Sequence, residues 1–241
     1  MVDKFITYKE ELKGFDQSIQ NQILNECVSS WKRKNFKTSV LSRRDAEKHL
    51  LYRDLLAASK KHCKITKSVN ERTLNVIQFH SEASIIRWLA FANTKESNFF
   101  LGDYDIFNLN LNTTDTEYKK LTFLNDTCLC FSYVENWLWA EHLAEIFIKN
   151  IDIMYDWNES HVFYHDQDII RNLYKNKYKI FTENEITFEN NLISDPDPIE
   201  GVVPENCKLL HISHFVHRGF KDSESARLKT INKYKSIYNP I

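Results

Sequence analysis

The sequence lacks an excess of charge of either sign, since 32 Lys and Arg residues balance 33 Asp and Glu residues in a chain of 241. The basic residues are dispersed along the chain, so the clustered positive charge with which proteins attract nucleic acids is missing. This balance argues against a nucleic-acid partner and against nonspecific binding to polyanions.

Long apolar runs and a cysteine framework are missing as well. No segment reaches the ~18 consecutive apolar residues of a membrane span, and the N-terminal stretch MVDKFITYKEELKG contains no apolar signal-peptide core. The five cysteines are odd in number, and Cys128 and Cys130 have no second pair with which to complete a zinc site. We therefore expect a cytoplasmic protein with reduced, buried thiols and no transmembrane segment.

Glycine and proline are scarce, with four of each. Three of the prolines and Gly201 cluster in ISDPDPIEGVVPEN, which predicts a loop and not a domain linker, because strand-like residues resume soon after it. The 42% hydrophobic content, with 16 Phe and 11 Tyr, is enough for a sizeable core. We find no internal repeat and predict a single domain over residues 1–241.

Strand and helix signals alternate along the chain. The predicted strands are DKFITY, FKTSVLS, LNVIQF, NFFLGDYD, TCLCFSYV and KLLHISHFVHRGF. The predicted helices begin at Asp16, Asp45, Ser81, Asn136 and Asp166, with a further helix of modest strength in the last twenty residues. This order predicts an α/β fold with a central mixed sheet flanked by helices, and a ligand site beyond the strand ends.

The stretch FFLGDYDIFN carries Asp103 and Asp105 at the end of a strand that reads as buried. In a strand, residues i and i+2 point to the same face, so the two carboxylates would project together. Two like charges held this close need a counter-charge, and a divalent cation is the usual one. The alternative is a solvated turn, which is a common role for an isolated Asp-x-Asp.

Three further groups carry candidate chemistry, and each has a plainer alternative. Asp166, Gln167 and Asp168 form an acidic cluster at a strand-to-helix junction, where Asp166 could simply be a helix cap. Arg87 lies on the helix before the first aspartate pair, where it could pair on the surface with Glu82 or Glu96.

The third group is a set of late histidines, which could be ordinary edge-strand residues. Its members are His211, His214 and His217, followed by Gly219 and Lys221. The conjunction of the aspartate pair, the arginine, the acidic cluster and the histidines, in this order along an α/β chain, favours a functional interpretation.

These segments resemble the nucleotide-sugar-dependent glycosyltransferases of the GT-A fold, over about residues 3 to 221. The closest likeness is to the glycogenin-like and lipopolysaccharide galactosyltransferase group and to the OCH1-like mannosyltransferases. DQDII resembles the Asp-Gln-Asp-Ile that opens a helix beside the sugar donor in the first group, and CVSSWK resembles the Cys-x-x-Ser-Trp-Lys segment of the second. The OCH1-like pattern usually carries a Gly-Gly before its Asp-x-Asp strand, whereas this chain has none before GDYD. The glycogenin-like C-terminal signature ends in Pro-Trp, whereas HFVHRGFK differs from it in histidine spacing and lacks the Pro-Trp.

The resemblance implies a Rossmann-like GT-A domain that uses Mn²⁺ or Mg²⁺ and a nucleoside diphosphate sugar, first of all a UDP-sugar, to glycosylate a glycan, lipid-linked or protein hydroxyl. It divides the chain into a nucleotide-binding half (about 1–110), an acceptor and sugar half (about 111–221) and a C-terminal helical tail (222–241).

The same resemblance assigns roles to residues. The metal ligands would be Asp103, Asp105 and His214, with His211 as second choice. The nucleotide would meet Thr7, Tyr8, Arg87, Asp103, Tyr104, Arg218 and Lys221. Asp166, Gln167 and Asp168 would surround the donor sugar as catalytic residues, either as a general base in an inverting reaction or as stabilisers of an oxocarbenium-like state in a retaining one.

Two other classes of function remain open. A metal-dependent phosphohydrolase or nuclease also uses acidic clusters and histidine, but it normally needs a second close metal and, for nucleic acid, a basic surface. A noncatalytic interaction protein with a transferase-like fold is the other, because a fold alone does not establish activity.

Overall fold

A computed structural model describes most of the chain. The described residues are 1–11, 16–63, 71–114, 118, 120–124, 131–150, 166, 170, 186–188, 193–194, 207–212 and 223–238. The division of the chain into nucleotide and acceptor halves stays a prediction.

The described strands form two sheets. They are β1 (Lys4–Tyr8), β2 (Lys37–Leu41), β3 (Ser97–Asp103), β4 (Ile106–Asn108), β5 (Leu121–Phe123), β6 (Phe131–Asn136), β7 (Ile186–Phe188), β8 (Ile193–Ser194) and β9 (Leu209–His211). The main sheet has six strands in the order β2-β1-β3-β6-β5-β7, and it is mixed, because β2, β1 and β3 are parallel whereas β6 is antiparallel to both β3 and β5. In the smaller sheet, β9 lies between β4 and β8.

Helices cover both faces of the main sheet, as the α/β prediction requires. They are α1 (Gln17–Arg33), α2 (Arg43–Ala46), α3 (Tyr52–Cys63), α4 (Glu71–Asn93), α5 (Leu138–Asn150) and α6 (Ser223–Tyr238). Ile6 and Leu101 belong to the core on the side of α2 to α5, while Phe5 and Phe100 belong to the core under α1 and α6. This division follows from the alternation of side chains along β1 and β3. None of the helices in the described part of the chain combines the length and apolar character that a membrane crossing requires.

The prediction of α1 is confirmed down to its cap. The Asp16 carboxylate accepts hydrogen bonds from the backbone N–H groups of Ser18 and Ile19, at 2.8 and 3.2 Å. The residues at four-residue spacing, Ile23, Cys27 and Trp31, are fully buried. The Trp31 ring stacks on Phe5 of β1 with ring centroids 4.0 Å apart.

The prediction of a third strand at LNVIQF is wrong, because these residues lie inside the 23-residue helix α4. Ser81 is consequently an interior residue of that helix and not its cap. A short apolar run has the same composition in a buried helix and in a buried strand, so periodicity alone cannot separate the two. No glycine or proline interrupts the chain between LNVIQF and the helical residues that follow it.

The single helix predicted from Asp45 onward is two helices. Asp45 is the third residue of the short helix α2, and its carboxylate accepts a hydrogen bond from the Ser42 backbone at 2.9 Å. A turn then separates α2 from α3, on which Leu55 and Ala58 are buried.

The cysteines that the structure describes with their side chains, Cys27 and Cys207, are buried and form no disulfide. Their burial agrees with the expectation of buried thiols, and the reduced state of the cysteines stays a prediction. Cys128 and Cys130 lie outside the described residues.

Candidate functional site

The two aspartates lie at the carboxyl end of β3, in the middle of the main sheet. β3 ends at Asp103, beside Tyr8 in the parallel register of β1 and β3, and Asp105 lies in the turn that leads into β4. The expectation that both carboxylates project from one strand is therefore wrong for Asp105. The turn brings the two carboxylates together, and strand alternation does not.

Arg87 of α4 joins the first aspartate pair to the second acidic cluster. Its Nη1 donates to Asp103 Oδ1, while its Nε and Nη2 donate to Asp166 Oδ2 at 3.0 and 2.7 Å. The Trp88 indole N–H donates to the same Asp166 oxygen at 2.9 Å. The alternative of a surface pair is wrong, because Glu82 pairs with Arg43 and Glu96 pairs with Lys4.

Burial governs the electrostatics of this bridge. Burial raises the pKa of Asp166, Arg87 opposes the rise, and the nearby negative charge of Asp103 adds to it, so the pKa lies above its usual value. Burial by itself would lower the pKa of Arg87, but the charges of Asp166 and Asp103 outweigh that cost and raise it. The guanidinium therefore stays charged and compensates two carboxylates at once.

Asp105 faces a second arginine on the opposite side of the sheet. Arg227 of α6, which is fully buried, donates from Nη2 to Asp105 Oδ2. The other carboxylate oxygen, Oδ1, lies 3.6 Å from His211 Nε2 and has no hydrogen-bond partner. Burial raises the pKa of Asp105, while His211 and Arg227 oppose that rise.

Asp103, Asp105 and His211 form a group with the geometry of a candidate metal centre. Each offers one ligand atom, and these atoms all lie within 4.8 Å of one another. Metal bonds to oxygen and nitrogen are ~2.1 Å long, so two ligand atoms of one ion stand ~3 Å apart when they are adjacent and ~4 Å apart when they are opposite. The group would therefore contract to seat an ion, and two carboxylates with an imidazole form a donor set that Mn²⁺ accepts. The unsatisfied Asp105 Oδ1 is one of the oxygens that could bind it.

The structure places the residues predicted for the nucleotide in different surroundings. Thr7 is fully buried opposite Gly102, and its hydroxyl has no hydrogen-bond partner. The Tyr8 hydroxyl donates to Glu10 at 2.7 Å, and the Tyr104 hydroxyl donates to Gln20 of α1. Burial raises the pKa of Tyr104 to about 12.

Several predicted site residues lie outside the described residues. They are Gln167, Asp168, His214, His217, Arg218 and Lys221. The roles predicted for them stay predictions. Of the late histidines, His211 is the one that the structure describes, and the family resemblance ranks it second to His214.

The sequence reasoning missed Arg227 and Trp88. Arg227 shares a helical face with Ile231 and Tyr234, both of which are buried. An arginine at a position otherwise used for core residues indicates a buried acidic partner, so the spacing of four and seven residues carried a usable signal. No comparable signal pointed to the hydrogen bond between Trp88 and Asp166.

Comparison with known proteins adds information on the fold. No protein-family model matches this chain, and no curated protein matches it. One similar solved structure is the apo form of the glycosyltransferase GlyE of Streptococcus pneumoniae TIGR4, with a TM-score of 0.51 and 12% identity over 100% of this chain. This chain spans 63% of the length of that protein.

A second similar structure is a glycosyltransferase involved in the glycosylation of the major capsid of PBCV-1. Its TM-score is 0.46 and its identity 8%, over 95% of this chain and 99% of the other. The alignment with GlyE shows that this chain shares the fold of that glycosyltransferase. The resemblance to the glycogenin-like and OCH1-like groups stays a prediction.

Proposed function

We propose that this protein is a metal-dependent glycosyltransferase that transfers a sugar from a nucleoside diphosphate sugar, first of all a UDP-sugar, to a hydroxyl acceptor. The observation that carries the proposal is the convergence of Asp103, Asp105 and His211 at the carboxyl end of the central strand β3. In α/β sheets, ligands bind beyond the carboxyl ends of the strands, at positions like this one.

The proposed chemistry depends on charge at the leaving group. Departure of a nucleoside diphosphate leaves negative charge on its phosphates, and Mn²⁺ or Mg²⁺ would supply the Lewis acid that neutralises it. Asp103, Asp105 and either His211 or His214 would hold the ion. Arg87 is one cation for the phosphates in this proposal, and Arg218 and Lys221 are the others.

The charges of the described cluster agree with this proposal. Asp103, Asp105 and Asp166 contribute three negative charges, and Arg87 and Arg227 contribute two positive ones. With neutral His211 the cluster has a net charge of about −1, which a divalent cation reverses to about +1. A site with a net charge of about +1 attracts a diphosphate. Without the two arginines, the three carboxylates and one divalent cation would keep a net negative charge and would repel it.

Asp166 has a supporting role in this proposal. Its side chain is 1% exposed and accepts three hydrogen bonds at one oxygen, from Arg87 and Trp88. A carboxylate this buried is suited to orienting those two side chains and not to contacting an acceptor hydroxyl. We assign contact with the sugar to its neighbours Gln167 and Asp168.

A thermal-shift panel of nucleotides and nucleotide sugars, with and without Mn²⁺, tests the proposal. A specific ligand stabilises the folded protein by mass action. We expect UDP and a UDP-sugar to raise the melting temperature in Mn²⁺ and to have much less effect in chelator. No shift with any nucleotide would contradict the proposal.

A noncatalytic protein with a transferase fold is the second candidate, and one observation favours it. Each of the three carboxylates already has an arginine partner, so the cluster is partly neutralised without a metal. In that case Mn²⁺ would have no effect on melting, with or without nucleotide, and the same panel separates the two candidates.

A further inference from the structure

Two hydrogen bonds tie the C-terminal helix α6 to the two segments that carry the candidate metal centre, and a third joins those segments to each other. Arg227 donates from Nη2 to the Asp105 carboxylate and from Nε to the Ile212 carbonyl, at 2.9 Å for the latter. The Ile212 backbone N–H in turn donates to the Asp105 carbonyl at 3.0 Å. These bonds close a ring that joins the turn after β3, the end of β9 and α6.

The position of Ile212 gives this ring its significance. Ile212 directly follows His211, which pairs with Ile106 in the register of β4 and β9. A guanidinium that holds both Asp105 and Ile212 therefore sets the separation of Asp105 and His211. Arg227 also binds one oxygen of Asp105, Oδ2, so that the other oxygen, Oδ1, faces His211 and has no hydrogen-bond partner.

We infer that Arg227 is a positioning residue that holds Asp105 and His211 in the arrangement that binds a divalent cation. The inference rests on the proposed function, which gives the cluster its cation, and it makes α6 part of the site. Groups that orient metal ligands through hydrogen bonds typically contribute 10–100-fold to metal affinity.

Lys235 offers a matched control on the same helix. It also links α6 to α1, through a salt bridge of 2.5 Å to Glu26, but its side chain is 41% exposed and touches none of the candidate ligands. Lys235→Met removes a positive charge and a helix contact without disturbing the ring, whereas Arg227→Met removes the ring itself.

The experiment is a calorimetric titration of UDP into the wild type, Arg227→Met, Arg227→Lys and Lys235→Met, each in Mn²⁺ and in chelator. The measured quantity is the gain in UDP affinity that Mn²⁺ provides. We expect Arg227→Met to reduce this gain by ~10–100-fold and to leave affinity in chelator unchanged. Lys235→Met should keep the full gain. A loss of general fold integrity would lower affinity under both conditions.

Arg227→Lys keeps the result decisive if the methionine variant does not fold. Its ammonium preserves the buried positive charge but lacks the planar fork that reaches Asp105 and Ile212 together, so we expect a smaller but measurable loss of the Mn²⁺ gain. A folded Arg227 variant with the full wild-type gain would overturn the positioning role alone. A wild type without any Mn²⁺ gain would overturn the metal dependence of the proposed function, and the positioning role with it.

Discussion

Replacing Arg87 by methionine should destabilise the protein more than the same replacement of an exposed arginine. The change removes three hydrogen bonds to two carboxylates and leaves Asp166, whose side chain is 1% exposed, without its cation. Breaking a buried ion pair by removing one partner costs ~3–5 kcal/mol. Trp88 still donates to Asp166, and the already raised pKa of Asp166 makes protonation easier, so we expect the lower end of that range.

Urea denaturation measures this loss directly. A loss of ~3 kcal/mol corresponds to a fall in melting temperature of about 6–12 °C for a domain of this size. Arg53→Met is the matched control, because Arg53 is exposed on α3 and its loss should change stability by no more than ~0.5 kcal/mol.

The double variant Arg87→Met with Asp166→Asn separates a stranded charge from lost packing. It removes the uncompensated carboxylate, so it should be more stable than Arg87→Met alone by at least ~1 kcal/mol. If Arg87→Met costs less than ~1 kcal/mol, or if the double variant is no more stable than the single one, the electrostatic account of this bridge is wrong.

Three further predictions follow from the same surroundings. Gly102→Ala should cost ~1–3 kcal/mol in urea denaturation, because an added Cβ would lie 2.9 Å from Phe131 Cδ2 and 3.1 Å from Phe5 Cε2; unchanged stability would show that these rings move freely. The folded protein raises the pKa of Tyr104 from 10.0 to about 12, so the unfolded chain loses this proton first and the stability due to Tyr104 falls as pH rises from 10 to 12. Tyr104→Phe should therefore lose less stability across that window than the wild type, and equal losses would contradict the shift. Asp168→Asn or Gln167→Ala should retain UDP binding in calorimetry but reduce sugar transfer by ~10²-fold or more, whereas full turnover would reduce Asp168 to a helix-terminal charge.

Local signals in the sequence predicted much of the fold. The cap at Asp16 and the apolar spacing that ends at Trp31 predicted α1, because capping and helical periodicity act within a few residues of each other. The stretch LNVIQF shows the limit of such signals. Its apolar run favours a strand by composition, and its place within α4 depends on the uninterrupted helical residues that follow it.

The candidate site was partly predictable for the same reason. Asp103, Asp105 and Asp166 are predicted by their position at element ends and Arg87 by its place on the helix before the first pair, and the structure brings the four into one connected group. Arg227 lies 122 residues from Asp105 in sequence, and their contact depends on how α6 packs against α1. Local pattern does not encode such a contact, although a single arginine on a buried helical face indicates that a distant acidic partner exists.

The structure also determines which aspartate is best suited to test the metal. Asp105→Asn would leave the fully buried Arg227 without its anion, and a loss of binding could then reflect a damaged fold. The Asp103 side chain is 29% exposed, and Arg87 keeps Asp166 as a partner when Asp103 is changed. Asp54→Asn on α3 is a suitable control, because Asp54 is exposed.

Calorimetric titration of UDP in Mn²⁺ and in chelator, with the wild type, Asp103→Asn and Asp54→Asn, tests the central claim most directly. Because a cation must stand between the carboxylates and the diphosphate that they would otherwise repel, we expect tight binding by the wild type and Asp54→Asn in Mn²⁺ only. Asp103→Asn should lose most of the Mn²⁺-dependent gain in affinity. Equal affinity in Mn²⁺ and chelator, with Asp103→Asn no different from the wild type, would contradict a metal-dependent nucleotide-sugar site at the end of β3.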